Sequence, residues 1–470
     1  MDGRFDDWAT LAAAVVDPQG DGGASGIDFG AVWLANDEAN LFLRFELGSS
    51  PNLQNDNGLV LYLDTDLSSS TGRLIGGIGA DVSWWFGSRI GFLHTSTGDV
   101  SFDAYDADVV SLPTVTSSEF EVSFGRDAVM SGQGPLFPGA SFRWLLREEG
   151  QGTGDAVPDS GQSATYVFDD TPTPSYEPIS SGKGAPEHLR IVSYNCLVGG
   201  FFERVEAFTP ILQAIQPDIL CFQELWYYNY TAEETRQLVE QILPPGSGNH
   251  WYAAQQHDNV IVSRYPIVTQ EAIDGNLATV IDLPQALGED LLLLSAHLPA
   301  SDNDANRQLE ADAIIAFLRD AKTPGGALSL EEGTPIVLVG DLNLVGLAQQ
   351  LETLLTGDIV NEGTYGADHA PDWDGSALAD AVPFQTGEAF AYTWWDEGSS
   401  YGPGRLDFII YSDSVLALKK SFVLRTESMS DEQLALGALE RDVTSTASDH
   451  LPVVADFTIR TSVPGLLNLY

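Results

Sequence analysis

Short apolar runs in alternation fill the first third of the chain. Leu41-Phe-Leu-Arg-Phe-Glu-Leu47, Leu59-Val-Leu-Tyr-Leu63, Val82-Ser-Trp-Trp-Phe86 and Phe120-Glu-Val-Ser-Phe124 are separated by clusters of Asn, Asp, Gly and Ser. Successive side chains of a strand point to opposite faces, so this pattern marks strands with one buried side. Runs at this spacing predict an all-β sandwich of about 8 to 10 strands over residues 1–168. After residue 188 the texture changes. Leu189 to Tyr194, Asp218 to Gln223, Leu291 to Ala296 and Pro335 to Val339 read as buried strands, while Arg204 to Ile215 and Asn306 to Arg319 carry helical spacing. Their alternation predicts a layered α/β domain over residues 188–460. Between the two, residues 169–187 open with Asp169-Asp170-Thr-Pro-Thr-Pro-Ser-Tyr-Glu-Pro, which has no hydrophobic period and predicts an interdomain linker. Residues 461–470 are read as a C-terminal tail, and no internal repeat is visible.

Charge narrows the partners. The 470 residues hold 68 Asp and Glu against 21 Lys and Arg, a formal net charge of −47. Residues 1–187 contribute 8 basic and 28 acidic side chains, and residues 188–470 contribute 13 and 40. Neither part is a basic clamp, and tight sequence-specific DNA binding is excluded as an expectation, because gripping a polyanion requires cations that displace its counterions. Nucleic acid remains as a substrate. A saline habitat fits such a surface, since salt screens self-repulsion. With 43% hydrophobic residues the chain can bury real cores, and no apolar stretch approaches a membrane span, so a soluble protein is expected. Met1-Asp2-Gly3-Arg4 runs straight into folded-looking sequence without a signal peptide. Cys196 and Cys221 lie in apolar runs, as two buried thiols or one disulfide.

Polar residues stand at the ends of the second part's strands, where open α/β sheets place their active sites. In chain order they are Asn195 in Ser-Tyr-Asn-Cys, Glu224 in Cys-Phe-Gln-Glu, Asp258-Asn259 and His297 in Leu-Ser-Ala-His-Leu-Pro. Asp341 and Asn343 follow in Gly-Asp-Leu-Asn, then Asp407 in Gly-Arg-Leu-Asp, and Asp449-His450 in Ser-Asp-His-Leu-Pro. Any one of these acids alone reads equally as a helix cap. As an ordered set over residues 188–460 they resemble the endonuclease/exonuclease/phosphatase superfamily, which includes pancreatic-type deoxyribonuclease, apurinic endonucleases, bacterial sphingomyelinases and inositol polyphosphate 5-phosphatases.

That resemblance implies an α/β four-layer sandwich and hydrolysis of phosphate esters. The reaction must neutralise a developing dianion, activate water and help the leaving oxygen depart. Glu224 and Asp449 offer hard oxygens for Mg²⁺, Mn²⁺ or Ca²⁺, with Glu224 implied as principal ligand and Asn195 beside it. Asp341 is implied as the base that orients and deprotonates water, with Asn343 contacting the phosphate or a second metal. His297 and His450 would stabilise charge as imidazolium ions. Asp407 would pair with His450, and Asp258 or Asn259 would orient His297. Arg307 is either a phosphate contact or a solvated helical arginine. His369, Asp372, Trp373 and Asp374 fall in a long insertion that either covers substrate or has no chemical role. Thr393 and Trp394 match a family position that packs near the site.

The first part resembles the β-sandwich modules related to family 9 carbohydrate-binding modules. The segments that carry this are Asp2-Gly-Arg-Phe-Asp-Asp-Trp8, Ala39-Asn-Leu-Phe-Leu-Arg-Phe45 and Leu61-Tyr-Leu-Asp-Thr-Asp66, with Gly79-Ala-Asp81. The resemblance implies a glycan or cell-surface polymer as partner and an extracellular or periplasmic location. Trp84 and Trp85 are a stacking platform or core, and Asp64, Asp66 and Asp81 a structural Ca²⁺ site or a solvated turn. The reading that combines both parts is a secreted, divalent-metal-dependent phosphodiesterase or phosphatase. A salt-adapted extracellular nuclease, a sphingomyelinase-like lipid phosphodiesterase and a binding protein without catalysis are the alternatives.

Overall fold

Alternate side chains of the first third turn to opposite faces and close two sheets over one core. The computed structural model describes residues 1–460, apart from 19, 23–25, 131, 133, 151–153, 160, 172–175, 226–229, 247–248 and 288–289. The predicted tail, 461–470, lies outside the described residues. The chain forms two compact units, Met1–Ser175 with Trp395–Arg405, and Tyr176–Trp394 with Leu406–Tyr470.

In the first unit a five-stranded sheet runs in the order Val15–Val16, Phe29–Asn36, Asn40–Leu47, Glu119–Gly125, Val110–Leu112. A seven-stranded sheet opposes it, with Ala156–Val157 at one edge, then Ser141–Glu148, Leu59–Asp64, Val82–Trp85, Ile90–Thr95 and Gly98–Phe102; Ala164–Val167 also pairs with Ser141–Glu148. Leu41, Leu43 and Phe45 from one sheet meet Leu59, Leu61, Leu63 and Trp84 from the other in a single core. The alternate residues Val60 and Tyr62 join Ile78, Ala80 and Leu145 in a second, smaller cluster, which is why Leu59–Asp64 is buried along its whole length. Each such side chain contributes about 1.5 to 3 kcal/mol. The two sheets hold twelve strands among the described residues, more than the 8 to 10 expected. The excess consists of two- to four-residue pieces such as Val15–Val16 and Ala156–Val157, too short to show a period.

The second unit holds two six-stranded sheets. One is ordered Tyr252–Gln256, Asn259–Ser263, Ile219–Gln223, Leu189–Asn195, Val453–Ile459, Leu416–Val423. The other is ordered Ile267–Ile273, Asn276–Ile281, Leu291–His297, Ile336–Asp341, Asp407–Tyr411, Ala379–Asp380. Helices Val205–Ile215 and Ala232–Ile242 bury Phe208, Ile211, Leu212, Val239 and Ile242 against the outer face of the first sheet. Helix Asp304–Ala321 buries Ala311, Ile314, Ile315 and Leu318, one stripe at helical spacing, on the side of the second sheet. The result is a helix, sheet, sheet, helix sandwich.

At the centre of the first sheet Arg190 and Asp456 face each other in register, both wholly buried, with Nε to Oδ1 at 2.6 Å and Nη2 to Oδ2 at 2.7 Å. The stretch expected as linker is, from Tyr176 onward, part of the second unit. Tyr176 donates its hydroxyl to the Gln385 carbonyl at 2.9 Å, Ile179 N–H bonds the Thr386 carbonyl at 2.9 Å, and Arg190 and Lys420 reach the Ser181 and Ser180 carbonyls. Its Pro and Ser residues deny it a period but not side-chain anchors. Cys196 and Cys221 are free and buried, and burial pushes both thiols up. Among the described residues no helix is long and apolar enough to cross a membrane.

Candidate active site

Strand parity decides which polar side chains meet. Val192, Tyr194, Leu220, Phe222, Val260 and Val262 pack towards the helices, so Ser193, Asn195, Cys221 and Gln223 turn to the other sheet. Gln223 Nε2 donates to Ser295 Oγ at 3.2 Å, Ser295 Oγ donates to Asn259 Oδ1 at 3.0 Å, and Asn259 Nδ2 donates to Asp258 Oδ1 at 3.3 Å. Ser295 and His297 share that inner face. His297 is in register with Asp341 on the parallel neighbour, and Asp341 is in register with Asp407 on the antiparallel one.

Asp341 is the hub. Its Oδ2 accepts from Asn195 Nδ2 at 3.0 Å and lies 3.6 Å from both His297 Nε2 and His450 Nε2; its Oδ1 accepts from Asn343 N at 3.0 Å. Asn195 Nδ2 also donates to Glu224 Oε1 at 3.0 Å, while its Oδ1 accepts from Leu197 N at 3.0 Å. Glu224 Oε2 accepts from Val198 N at 2.8 Å. Each imidazole has a carboxylate behind it: His297 Nδ1 is 2.5 Å from Asp258 Oδ2, and His450 Nδ1 is 2.8 Å from Asp407 Oδ2. Asp407 Oδ2 accepts in turn from Thr393 Oγ1 at 2.7 Å. Glu224 and Asn343 adopt left-handed backbone, φ 65 and 47. Asparagine tolerates this, but for glutamate it costs about 1 to 3 kcal/mol, held here by the surrounding bonds.

The charges follow from these contacts. Burial opposes an imidazolium at His450, yet the Asp407 and Asp341 carboxylates outweigh it and push the ring up to about 10. Burial likewise works against His297, and Asp258, Asp341 and Glu224 raise it to about 9. Burial lifts Asp341 to about 6, with Asp407 adding to the rise and both histidines opposing it. Asp258, although buried, is held below the usual carboxylate range by its bond to His297. At neutral pH the centre is therefore two cations around an ionised, weakly basic carboxylate.

Glu224, His297 and Asp341 place one ligand atom each within 4.8 Å of one another, as do Asp341, Asp407 and His450. In the second group the His450 ring bonds Asp407 Oδ2 directly, while Asp407 Oδ1 is buried without a hydrogen-bond partner among the described residues. In the first, two hard carboxylates converge where Asn195 donates to both, a donor set that suits a divalent cation. Asp449 belongs to neither group; its Oδ2 accepts from Trp394 Nε1 at 3.1 Å.

One expectation needs correction. Arg307 is neither solvated nor turned to a phosphate. It is fully buried, and its guanidinium donates to the Pro299 carbonyl at 2.6 Å, the Ser301 carbonyl at 2.7 Å and Asp304 Oδ1 at 2.8 Å, fixing the loop that leaves His297. Nor does the insertion's segment around Trp373 cover the site. Trp373 Nε1 donates to the Thr334 carbonyl at 2.6 Å, and Asp372 accepts from Ser414 N at 3.1 Å. Both contacts lie by the start of strand Ile336–Asp341, about 20 Å along the strand from Asp341. His369 and Asp374 flank these anchors in the chain.

Other residues join the site through contacts made by the fold. Ser448 Oγ donates to the Asn195 carbonyl at 2.9 Å, and Asn276 Oδ1 accepts from His297 N at 2.9 Å. Asn276 Nδ2 donates to Glu310 Oε2 at 2.9 Å, and burial lifts Glu310 to about 7. Pairing of strands Asn276–Ile281 and Leu291–His297, and of Leu189–Asn195 with Val453–Ile459, makes such residues neighbours.

In the first unit Asp64, Asp66 and Asp81 do come within 4.8 Å of one another. Their oxygens are largely engaged. Asp64 Oδ2 faces Arg143 Nη1 at 3.2 Å, Asp81 Oδ2 accepts from Thr65 N at 2.9 Å and Asp66 N at 3.2 Å, and Asp66 Oδ2 accepts from Thr71 Oγ1 at 2.8 Å. Trp84 is core. Trp85 is half-buried beside a cleft that Asp56, Asn57, Ser88 and Glu148 also line.

No curated protein matches the chain. Solved structures similar to it include the human Nocturnin catalytic domain with bound sulfate (17% identity, TM-score 0.38, 58% of this chain and 95% of that one). A 3'-5' exonuclease from Neisseria meningitidis is also similar (21%, 0.36, 57% and 100%), as is an AP endonuclease from Archaeoglobus fulgidus (15%, 0.35, 57% and 98%). The model of the Endonuclease/Exonuclease/phosphatase family matches residues 192–450, more than half of the chain and the whole span from Asn195 to His450. The chain belongs to the Endonuclease/Exonuclease/phosphatase family and is accordingly an enzyme of that family's kind, a metal-dependent hydrolase of phosphate esters.

Proposed function

We propose that the protein is a divalent-metal-dependent phosphodiesterase or phosphatase acting on small esters, with Asp341 as general base and His297 and His450 as the groups that stabilise charge on phosphorus. The observation that carries this reading is the position of Asp341 Oδ2, 3.6 Å from each of two imidazoles that are themselves backed by carboxylates. A base must be ionised yet retain affinity for a proton near the working pH, and a buried acid at about 6 meets both conditions. Asn195 and Asn343 hold the two oxygens of Asp341, so its orientation is set before substrate arrives. His297 and His450 present protonated Nε2 atoms towards the same point, where an anionic phosphoryl oxygen is neutralised. Asp258 and Asp407 hold these rings and keep them charged.

Glu224, with Asn195 and Asp341 beside it, would hold the metal. A divalent cation there supplies positive charge against the developing dianion and acidifies the attacking water. In the geometry described, the Asn195 amide hydrogens face Glu224 and Asp341, so Asn195 acts first as a clamp on these carboxylates.

Small esters are favoured over a nucleic-acid backbone because many of the unit's cations are occupied internally. Arg190 pairs with Asp456, Arg204 reaches the Ala447, Cys196 and Leu197 carbonyls, and Arg307 is buried. Lys322 bonds the carbonyls of residues 370–372, and Arg441 bonds Asp431. A strand-tracking groove needs such groups free. An extracellular, saline setting belongs to the same proposal, supported by the net charge of −47 and by Trp85 beside a polar cleft suited to a glycan.

The test is turnover of bis-p-nitrophenyl phosphate, p-nitrophenyl phosphate, plasmid DNA and sphingomyelin, with Mg²⁺, Mn²⁺, Ca²⁺ or chelator, at low and high salt. Metal-dependent turnover of the small esters above the other substrates is expected. Plasmid cleavage well above the small-ester rates would replace this reading with a salt-adapted nuclease, and a preference for sphingomyelin would replace it with a lipid phosphodiesterase.

A further inference from the structure

One loop of the first unit gathers carboxylates without a counter-charge. Asp17, Asp21 and Asp155 each place an oxygen within 4.8 Å of the others. Asp17 and Asp155 are buried, at 4% and 7% exposure, and Asp21 is at the surface. Asp17 follows strand Val15–Val16 and Asp155 precedes strand Ala156–Val157, the edge strands of the two opposing sheets. Among the described residues no Lys, Arg or His pairs with any of the three.

Their bonding is uneven. Asp155 uses both oxygens, Oδ2 accepting from Phe29 N at 2.7 Å and Oδ1 from Ala156 N at 2.7 Å. The nearby Asp28 accepts from Gly20 N and Gly22 N at 2.9 to 3.0 Å, which curls the loop back beneath Asp21. Asp17 Oδ2, by contrast, is buried and has no hydrogen-bond partner among the described residues. An unpaired buried carboxylate oxygen beside two other acids is costly, and nothing among the described residues offsets it. The Asp64, Asp66 and Asp81 cluster differs on both counts, since Arg143 supplies a cation and backbone or hydroxyl donors fill its oxygens.

We propose that Asp17, Asp21 and Asp155 bind a divalent cation, Ca²⁺ in preference to Mg²⁺, which staples the edges of the two sheets. Oxygens around one Ca²⁺ lie about 2.3 to 2.6 Å from it and so up to about 5 Å apart, which matches the spacing of these carboxylates. An irregular loop with mixed burial suits the variable coordination of Ca²⁺ better than the strict octahedron of Mg²⁺. The site is separate from the catalytic carboxylates, and the proposal does not depend on the substrate reading.

The experiment uses the full chain, stripped of metal and carrying Glu224→Gln to weaken binding at the catalytic centre, titrated calorimetrically with CaCl₂ and with MgCl₂. One Ca²⁺ is expected to bind, with a rise in Tm of about 5 to 10 °C at a hundredfold excess over Kd, and Mg²⁺ to bind at least tenfold more weakly. Adding Asp17→Asn should remove that Ca²⁺ while raising the Tm of the metal-free protein. Adding Asp21→Asn, at an exposed side chain with no part in the core, should weaken binding at least tenfold without lowering the metal-free Tm. Absence of Ca²⁺ binding, or binding that neither substitution changes, would overturn the proposal. So would a fall in metal-free Tm on Asp17→Asn, since Asp17 would then be a structural acceptor.

Discussion

In the second unit Asp341 and Asp407 are buried opposite each other on paired strands, and each faces an imidazole; in the first unit Asp17 and Asp155 are also buried and face other acids. The same residue type, at comparable depth, meets two electrostatic solutions. Around Asp341, the proposed base, the chain supplies the positive charge itself, at His297 and His450, the proposed charge stabilisers. Around Asp17 the described residues supply none. Arg190 with Asp456 is a third arrangement, a fully buried pair in which fork and carboxylate satisfy each other and no chemistry is left over. These buried acids therefore differ in their counter-charge: imidazole at the proposed site of reaction, guanidinium where strands are pinned, and an external cation at the sheet edge as we infer it.

Substitutions at these acids and their partners test that sorting. Asp341→Asn removes the base but keeps the shape, and kcat/KM for a small diester should fall by about 10² to 10⁴-fold with the Tm unchanged or higher. Retention of activity within tenfold would remove Asp341 from the chemistry. Arg190→Met strands Asp456 in the core and should cost about 3 to 5 kcal/mol in urea unfolding, much of it recovered in the double variant with Asp456→Leu. A single variant as stable as the wild type would show that the pair is not what pins the strands.

Asp407→Asn tests the imidazole solution through pH. The folded His450 ring lies near 10, above its ordinary 6.5, because Asp407 and Asp341 prevail over burial. A group raised in this way adds stability that is complete below about 6.5 and is lost as the pH climbs towards the folded value. In chelator, Asp407→Asn should therefore cost about 2 kcal/mol near pH 6.5, with the gap to wild type closing towards pH 10, and the alkaline limb of activity should move to lower pH. A gap that widens with pH would mean that His450 is buried neutral. The smallest effect is expected from Asp17→Asn in chelator, a gain of about 2 to 4 °C in Tm, opposite in sign to the change at Asp407. Loss at both positions would erase the contrast between the two regions.

Much of this was legible along the chain because local rules sufficed. Leu41 to Leu47 and Leu189 to Tyr194 show their strands by pattern, and the strand-end acids and histidines keep a recognisable order from Asn195 to His450. Arg307 was misread for a definite reason. Its place on a helix after His297 says nothing about three acceptors that the following loop folds around it. For the segment at Trp373 the sequence leaves two readings open, because an indole that bonds Thr334 and one that covers a substrate look the same in sequence. Two-residue strands such as Val15–Val16 have no period to read.

The sequence by itself determined the division into a β-rich first part and an α/β second part, and which polar residues end the strands, since these follow from periodicities of two and 3.6 and from residue order. Only the tertiary structure decided which of those residues touch. Strand parity turns Asn195 and Gln223 inward, register sets His297 and Asp407 on either side of Asp341, and edge strands far apart in sequence bring Asp17 to Asp155. Charge interactions act across space over a few ångströms, so the protonation and the partners of each acid are properties of the folded chain and not of its order.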